Sequence, residues 1–134
     1  MVEDRTTDGK RIAQLLSSEV SGREDSGLDA LAVADADPDV GPSADGERAY
    51  DIALRETDDE AETLAEVYVH PDRARIEFRE RVDAAAEAGE TAGLRVRPKA
   101  VKPPRTLVFV EDGGEVKRAT DVLVAVLQSR QNSG

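Results

Sequence analysis

Two runs of strict alternation meet across a four-residue interruption between residues 65 and 78, and that pattern directs the segment into a β-hairpin. Ala65, Val67 and Val69 mark the first arm, and Ala74, Ile76 and Phe78 mark the second. His70, Pro71, Asp72 and Arg73 connect them, with Pro71 pre-setting φ for the second position of a type I turn. Closing the loop with Val69 opposite Ala74 sets Val67 across from Ile76 and Ala65 across from Phe78. Every apolar side chain then lands on one face, and the register is self-consistent. The other face carries Glu66, Tyr68, Arg75, Glu77 and Arg79, with Tyr68 opposite Arg75 as a ring and guanidinium pair.

The rest of the chain reads as elements arranged around this hairpin. Ile12, Leu15, Leu16 and Val20 fall on one helical stripe, with Thr7 or Asp8 as the cap and Gly22 as the stop. A turn-rich connection at 21–26 follows. Residues 28–37, in which Leu31 and Val33 alternate with alanines, are expected as a strand, with helix the competing reading because alanine favours it. Loop chemistry follows at 37–46, and 48–55 should be a strand presenting Tyr50, Ile52 and Leu54 against Asp51, Ala53 and Arg55. An acidic turn at 56–62 leads into the hairpin. Residues 79–89 form a short helix that Gly89 ends, and Leu94 and Val96 make a strand that Pro98 ends. After a proline-stiffened loop, 106–110 is the most apolar strand, read as central and buried on both faces. A last helix spans 115–129, with Val116, Ala119, Leu123, Val126 and Leu127 as its stripe and Glu115 at its positive end.

These elements predict one α+β domain over residues 1–134. An antiparallel sheet of about five to six strands, a meander with the 65–78 hairpin at its centre, carries two longer terminal helices and one short helix on one face. Residues 1–7 and 131–134 are expected as disordered tails. The absence of cysteine excludes disulfides and thiolate metal sites, and no apolar run approaches the roughly 20 residues of a spanning helix. The expectation is therefore a cytoplasmic protein with no membrane partner.

Charge sharpens the reading. The net charge is −11, and only Lys10, Lys99, Lys102 and Lys117 are lysines, so arginine supplies most of the positive charge. With this composition, the run Val-Tyr-Val-His-Pro-Asp-Arg at 67–73 and the run at 97–110, Arg-Pro-Lys-Ala-Val-Lys-Pro-Pro-Arg-Thr-Leu-Val-Phe-Val, the chain resembles a small family of haloarchaeal proteins without an assigned function. The resemblance implies a salt-rich habitat and no chemistry. In such a medium the acidic excess keeps the surface hydrated, because a Debye length of about 3 Å at 1 M screens all but contact-range charges.

Three features can carry chemistry. His70, the sole histidine, can act as a general base supported by Asp72, Glu66 or Glu77; the simpler reading leaves it in solvent, completing the turn. Asp35, Asp37 and Asp39, and Asp58, Asp59, Glu60 and Glu62, offer oxygen ligands but lack the spacing of a calcium loop and read as solvated loops. No metal or cofactor is expected. The third feature is the distribution of bases. Up to Glu62 there are 18 acids and 6 bases, whereas beyond it there are 11 acids and 12 bases. Between Thr91 and Val110 no acid occurs, yet Arg95, Arg97, Lys99, Lys102 and Arg105 do. The expectation is that these five form one exposed, phosphate-gripping patch, against the competing one that the segment pairs with the acidic N-terminal half. His70, Arg75 and Tyr68 are secondary candidates. The function expected is that of a small non-enzymatic binding or accessory protein, its partner a nucleic acid, a phosphate-bearing ligand or another protein. A small enzyme using His70, or a self-associating structural protein, is the alternative.

Overall fold

The structure, a computed structural model, describes residues 6–22, 30–54 and 62–132. Asp8 starts α1 (Gly9–Gly22), its Oδ1 accepting from the backbone N–H groups of Lys10 and Arg11 at 3.0 and 3.2 Å. Ile12, Leu16 and Val20 form the buried stripe, with Leu15 packed at its margin. Six strands follow, β1 (Leu31–Ala34), β2 (Glu47–Leu54), β3 (Glu62–Val69), β4 (Ala74–Phe78), β5 (Arg95–Lys99) and β6 (Arg105–Val110). The helix α2 (Val82–Thr91) lies between β4 and β5, and α3 (Val116–Asn132) closes the chain after a 3-10 turn at Gly113–Glu115. Asp112 caps that turn through Oδ1 on the Glu115 N–H at 3.0 Å, and Glu115 in turn accepts from the Glu111 N–H at 2.7 Å.

All neighbours in the sheet are antiparallel, in the order β1-β2-β3-β4-β6-β5, so the fold is α+β. The hairpin pairs in the register expected from its alternation, Val69 with Ala74, Val67 with Ile76, Ala65 with Phe78 and Tyr68 with Arg75. The last two strands exchange their sequential places. β6, with Leu107, Val108, Phe109 and Val110, inserts beside β4, and the arginine-bearing β5 takes the edge, where its outer side meets water. The three helices lie together on one face: the Tyr50 hydroxyl donates to the Ala13 carbonyl at 2.8 Å, and the Thr106 hydroxyl to the Val82 carbonyl at 2.7 Å. Between them sits a core of Ile12, Leu16, Val67, Ile76, Phe78, Val108 and Leu123, all fully buried. Burying a side chain the size of Phe78 contributes about 1.5–3 kcal/mol.

Several expectations are corrected. Pro98 does not end its strand but pairs with Thr106 inside β5, which an edge strand permits because a missing N–H on its outer side costs no ladder bond. Gly89 does not stop α2, which starts at Val82 behind Arg81 (φ 52°) and runs to Thr91; Gly93, at φ 77°, lies beyond the end. The lack of a side chain at Gly89 serves packing, since a Cβ there would sit 2.6 Å from Val96 Cγ2. β6 is second from an edge rather than central, and Leu107 is only half-buried. β3 carries an extra residue, Leu64, between the partners of Ile52 and Ala53, and Ala53 is buried along with Tyr50, Ile52 and Leu54 rather than facing away from them. The 28–37 segment resolves as the strand Leu31–Ala34, and α3 continues through Asn132. The acidic turn at 56–61, most of the 21–26 connection, residues 28 and 29, and the outermost tail residues lie outside the described residues.

Candidate functional site

The helices cover one side of the sheet and leave the other to polar side chains. Strand pairing sets these in rows across four strands. One row runs Tyr68, Arg75, Phe109, Arg95; the next runs Glu66, Glu77, Leu107, Arg97. Beyond them Lys99 lies opposite Arg105, and Arg105, Arg79, Thr63, Glu80 and Pro103 line a concavity of about 350 Å³. The first row alternates ring and guanidinium. Arg75 stacks on Tyr68 at 4.4 Å from the ring centroid, while Arg95 and Arg73 lie over Phe109 at 5.3 and 5.7 Å.

Glu77 is the centre of this face and is fully buried. Its Oε2 accepts from Arg75 Nε at 2.8 Å and pairs with Arg75 Nη2 at 2.7 Å; its Oε1 accepts from Arg105 Nη1 at 2.9 Å. Lys99 Nζ approaches both oxygens more loosely, at 3.4 and 3.5 Å. Burial alone would push the Glu77 carboxyl up, but the hydrogen bonds from Arg75 and Arg105 and the charges of Arg75 and Lys99 pull it below the usual carboxylate range. Arg105 Nη1 also donates to Glu66 Oε1 at 2.7 Å, and the Tyr68 hydroxyl donates to the same oxygen at 3.0 Å. Burial, and then that bond to Glu66, raise the Tyr68 pKa. The network is a continuous chain of charge-assisted bonds over β3, β4, β6 and β5.

His70 joins the network at one end and is buried, contrary to the expectation of a solvent-facing turn. Its Nε2 stands 2.7 Å from Arg75 Nη1 and its Nδ1 stands 3.0 Å from the Ala44 carbonyl oxygen. A guanidinium can only donate, so Nε2 is the bare nitrogen and Nδ1 carries the proton toward Ala44. Arg75 Nη1 also donates to the Asp45 carbonyl at 2.9 Å, and the Ser43 N–H donates to the Val69 carbonyl at 3.4 Å. The 43–46 turn is thereby clasped onto the hairpin. Gly46, at φ 89°, completes the clasp, since a Cβ there would lie 3.0 Å from His70 Nε2 and collide with the Arg75 guanidinium. Burial lowers the His70 pKa, and Arg73 and Arg75 add to the effect against the Ala44 bond and Asp72. With both ring nitrogens engaged and no carboxylate on either, His70 is arranged as a structural hydrogen-bond bridge rather than a supported base.

The five bases of the 95–105 segment do not form one uniform exposed patch. Arg105 is absorbed by Glu66 and Glu77, Lys99 leans on Glu77 with its side chain 41% exposed, and Arg95 pairs with Glu111 at 3.6 Å. Arg97 and Lys102 are exposed and make no ion pair with any described residue, and the same is true of Arg79. No ion pair of the segment reaches the acidic N-terminal half among the described residues; its carboxylate partners are Glu66, Glu77 and Glu111. Sequence alternation put Glu77 and Arg79 on this face but not Glu77 at its centre, because the strand that supplies Arg105 and the edge that supplies Lys99 are joined to it only by the sheet order.

Among the described residues no three histidine or acidic side chains gather to hold a metal ion, so Asp35, Asp37 and Asp39 do not converge. No described helix is long and apolar enough to cross a membrane. No curated protein and no solved structure matches the chain. A family model described as a family of unknown function, DUF7993, matches residues 1–134, and the chain belongs to that family.

Proposed function

We propose that this is a non-enzymatic binding protein for a phosphate-bearing anion, met on the open face of the sheet at β4, β6 and β5. The observation that carries the reading is the presence of Arg79, Arg97 and Lys102 on or beside that face without a carboxylate partner among the described residues, in a chain of net charge −11. Such a chain has acid to spare for neutralising cations, so cations kept apart from it are available to an incoming ligand. Arg95, Arg97 and Lys99 repeat every second residue along an edge strand, which spaces them about 7 Å apart on one face. Guanidinium groups engage phosphate oxygens bidentately at contact range, where salt screens least. The acid-rich, arginine-rich composition supports a salt-rich cytoplasm as the setting.

Fluorescence anisotropy with a labelled single-stranded RNA oligonucleotide, across a salt series, tests the reading. Binding should weaken with log salt, with a slope of about 0.7 per phosphate neutralised. The triple variant Arg79→Glu, Arg97→Glu, Lys102→Glu should keep the far-ultraviolet circular dichroism of the parent and raise Kd about tenfold or more. Equal affinity for parent and variant, or no binding by the parent even at low salt, overturns the reading.

A further inference from the structure

We propose that this protein self-associates head to tail, with Val101 of one copy seating in the alanine-lined groove between α2 and α3 of the next, an inference that stands apart from the anion-binding reading.

The groove lies on the outer side of the helix pair and encloses about 510 Å³. Ala85 and Gly89 are the buried positions of α2, which leaves Ala84, Ala88 and Ala92 to line the groove, and Ala125 of α3 lines it from the other helix. Side chains of one carbon keep it open and apolar. The charged groups of its lining, Glu87 and Asp121, are both exposed carboxylates, one from each helix. An occupant that matches is therefore an apolar knob with positive charge beside it.

The same chain carries such a knob. Among the described residues Val101 is the one large hydrophobic side chain left exposed, at 40%. Its N–H donates to the Lys99 carbonyl at 2.9 Å, a three-residue turn that fixes the backbone leading into it, and Pro103 and Pro104 stiffen the chain beyond it. A knob on a stiff loop loses little freedom on docking. Lys102 follows it directly, and no acid occurs between Thr91 and Val110, so this loop carries only positive charge in a chain of net charge −11. A lone exposed valine is ordinary on a protein surface. What singles out Val101 is that both its apolar side chain and the charge around it are complementary to the groove.

None of residues 99–104 lines the groove of its own copy, so knob and socket lie on different surfaces and meet between copies. A contact of that kind is heterologous and repeats from one copy to the next, closing a ring or extending a chain. It is also small, of the transient class that buries less than about 1,200 Å². Copies that each carry −11 repel one another at low salt. At about 1 M salt the screening length of about 3 Å removes that repulsion and leaves apolar burial and lysine–carboxylate pairs at contact range.

The experiment uses the full chain in about 1 M sodium chloride. Because the chain has no cysteine, Ala100→Cys accepts a nitroxide at that one position, beside the knob and without covering it. Mixed with isotope-labelled parent, the spin-labelled copy should broaden the amide signals of Ala84, Ala88, Asp121 and Ala125. Val101→Ser in the spin-labelled copy should weaken the association roughly tenfold through lost apolar burial. That substitution changes no charge, so RNA affinity should stay within about twofold of the parent. Glu87→Lys with Asp121→Lys in the isotope-labelled copy should abolish the broadening while keeping the far-ultraviolet circular dichroism of the parent. Groove signals that stay sharp, broadening centred on another surface, or broadening that survives Val101→Ser unchanged overturns the proposal.

Discussion

At the residue scale His70 is the most consequential side chain whose environment the local sequence misdescribes. Residues 70–73 read as an exposed turn, and within the hairpin alone that is what they are. The 43–46 turn, 26 positions earlier in the chain at Ala44, covers the ring and uses its Nδ1 proton. Because burial, with Arg73 and Arg75, lowers the folded-state pKa, the unfolded chain takes up a proton near the ordinary value of about 6.5 while the folded chain still resists it. Stability from this residue is therefore fully present above about pH 6.5 and falls as pH drops from there toward the lowered folded value. Protonation would set a second donor against Arg75 and open the clasp. Urea midpoints measured between pH 7.5 and 5.5 should decline toward acid, and His70→Gln should flatten that decline whatever its own stability. A parent midpoint that does not change with pH over this range contradicts the assignment.

At the scale of elements, Glu77 ties the second half of the sheet together. Its carboxylate binds Arg75 on its own strand, Arg105 on β6 and Lys99 on the edge strand β5, and Arg105 carries the link to Glu66 on β3. Glu77→Gln keeps the shape but leaves three cations around a neutral amide. Breaking a buried pair by removing one partner costs about 3–5 kcal/mol, and the half-exposed Lys99 and partly exposed Arg105 place this site near the lower end. Chemical denaturation should report that loss. Hydrogen exchange should show β5 losing protection before β2 and β3, because β5 has a neighbour on one side only. A loss below about 0.5 kcal/mol would mean that solvent already screens the network. The elements themselves were largely legible: the hairpin register, the stripes of α1 and α3 and the strand alternation all follow from local periodicity. The exchange of β5 and β6 was not, since no local pattern says which strand pairs with β4. Nor was the continuation of α2 through Gly89, where close approach to Val96 outweighs the glycine's cost of about 1 kcal/mol within a helix.

The whole molecule carries −11 overall, yet the open face around β4, β6 and β5 gathers Arg73, Arg75, Arg79, Arg95, Arg97, Lys99 and Arg105 against Glu66 and Glu77. Repulsion among the excess acids opposes folding at low ionic strength, whereas the Glu77 network is buried and feels salt weakly. Raising sodium chloride from about 0.05 M to about 1 M shortens the screening length to about 3 Å, so the melting temperature should rise over that interval. A melting temperature that falls with salt would mean that attractive surface pairs dominate instead. Composition and local periodicity alone determined the acidic surface, the α+β class and the hairpin register, because charge count and alternation are properties of neighbouring residues. Tertiary structure alone decided that His70 is buried, that Glu77 neutralises Arg105, and that Arg79, Arg97 and Lys102 keep their charges unpaired among the described residues. Those outcomes depend on which strands lie side by side, and strand order is set by the competition of whole segments for the interior of the sheet.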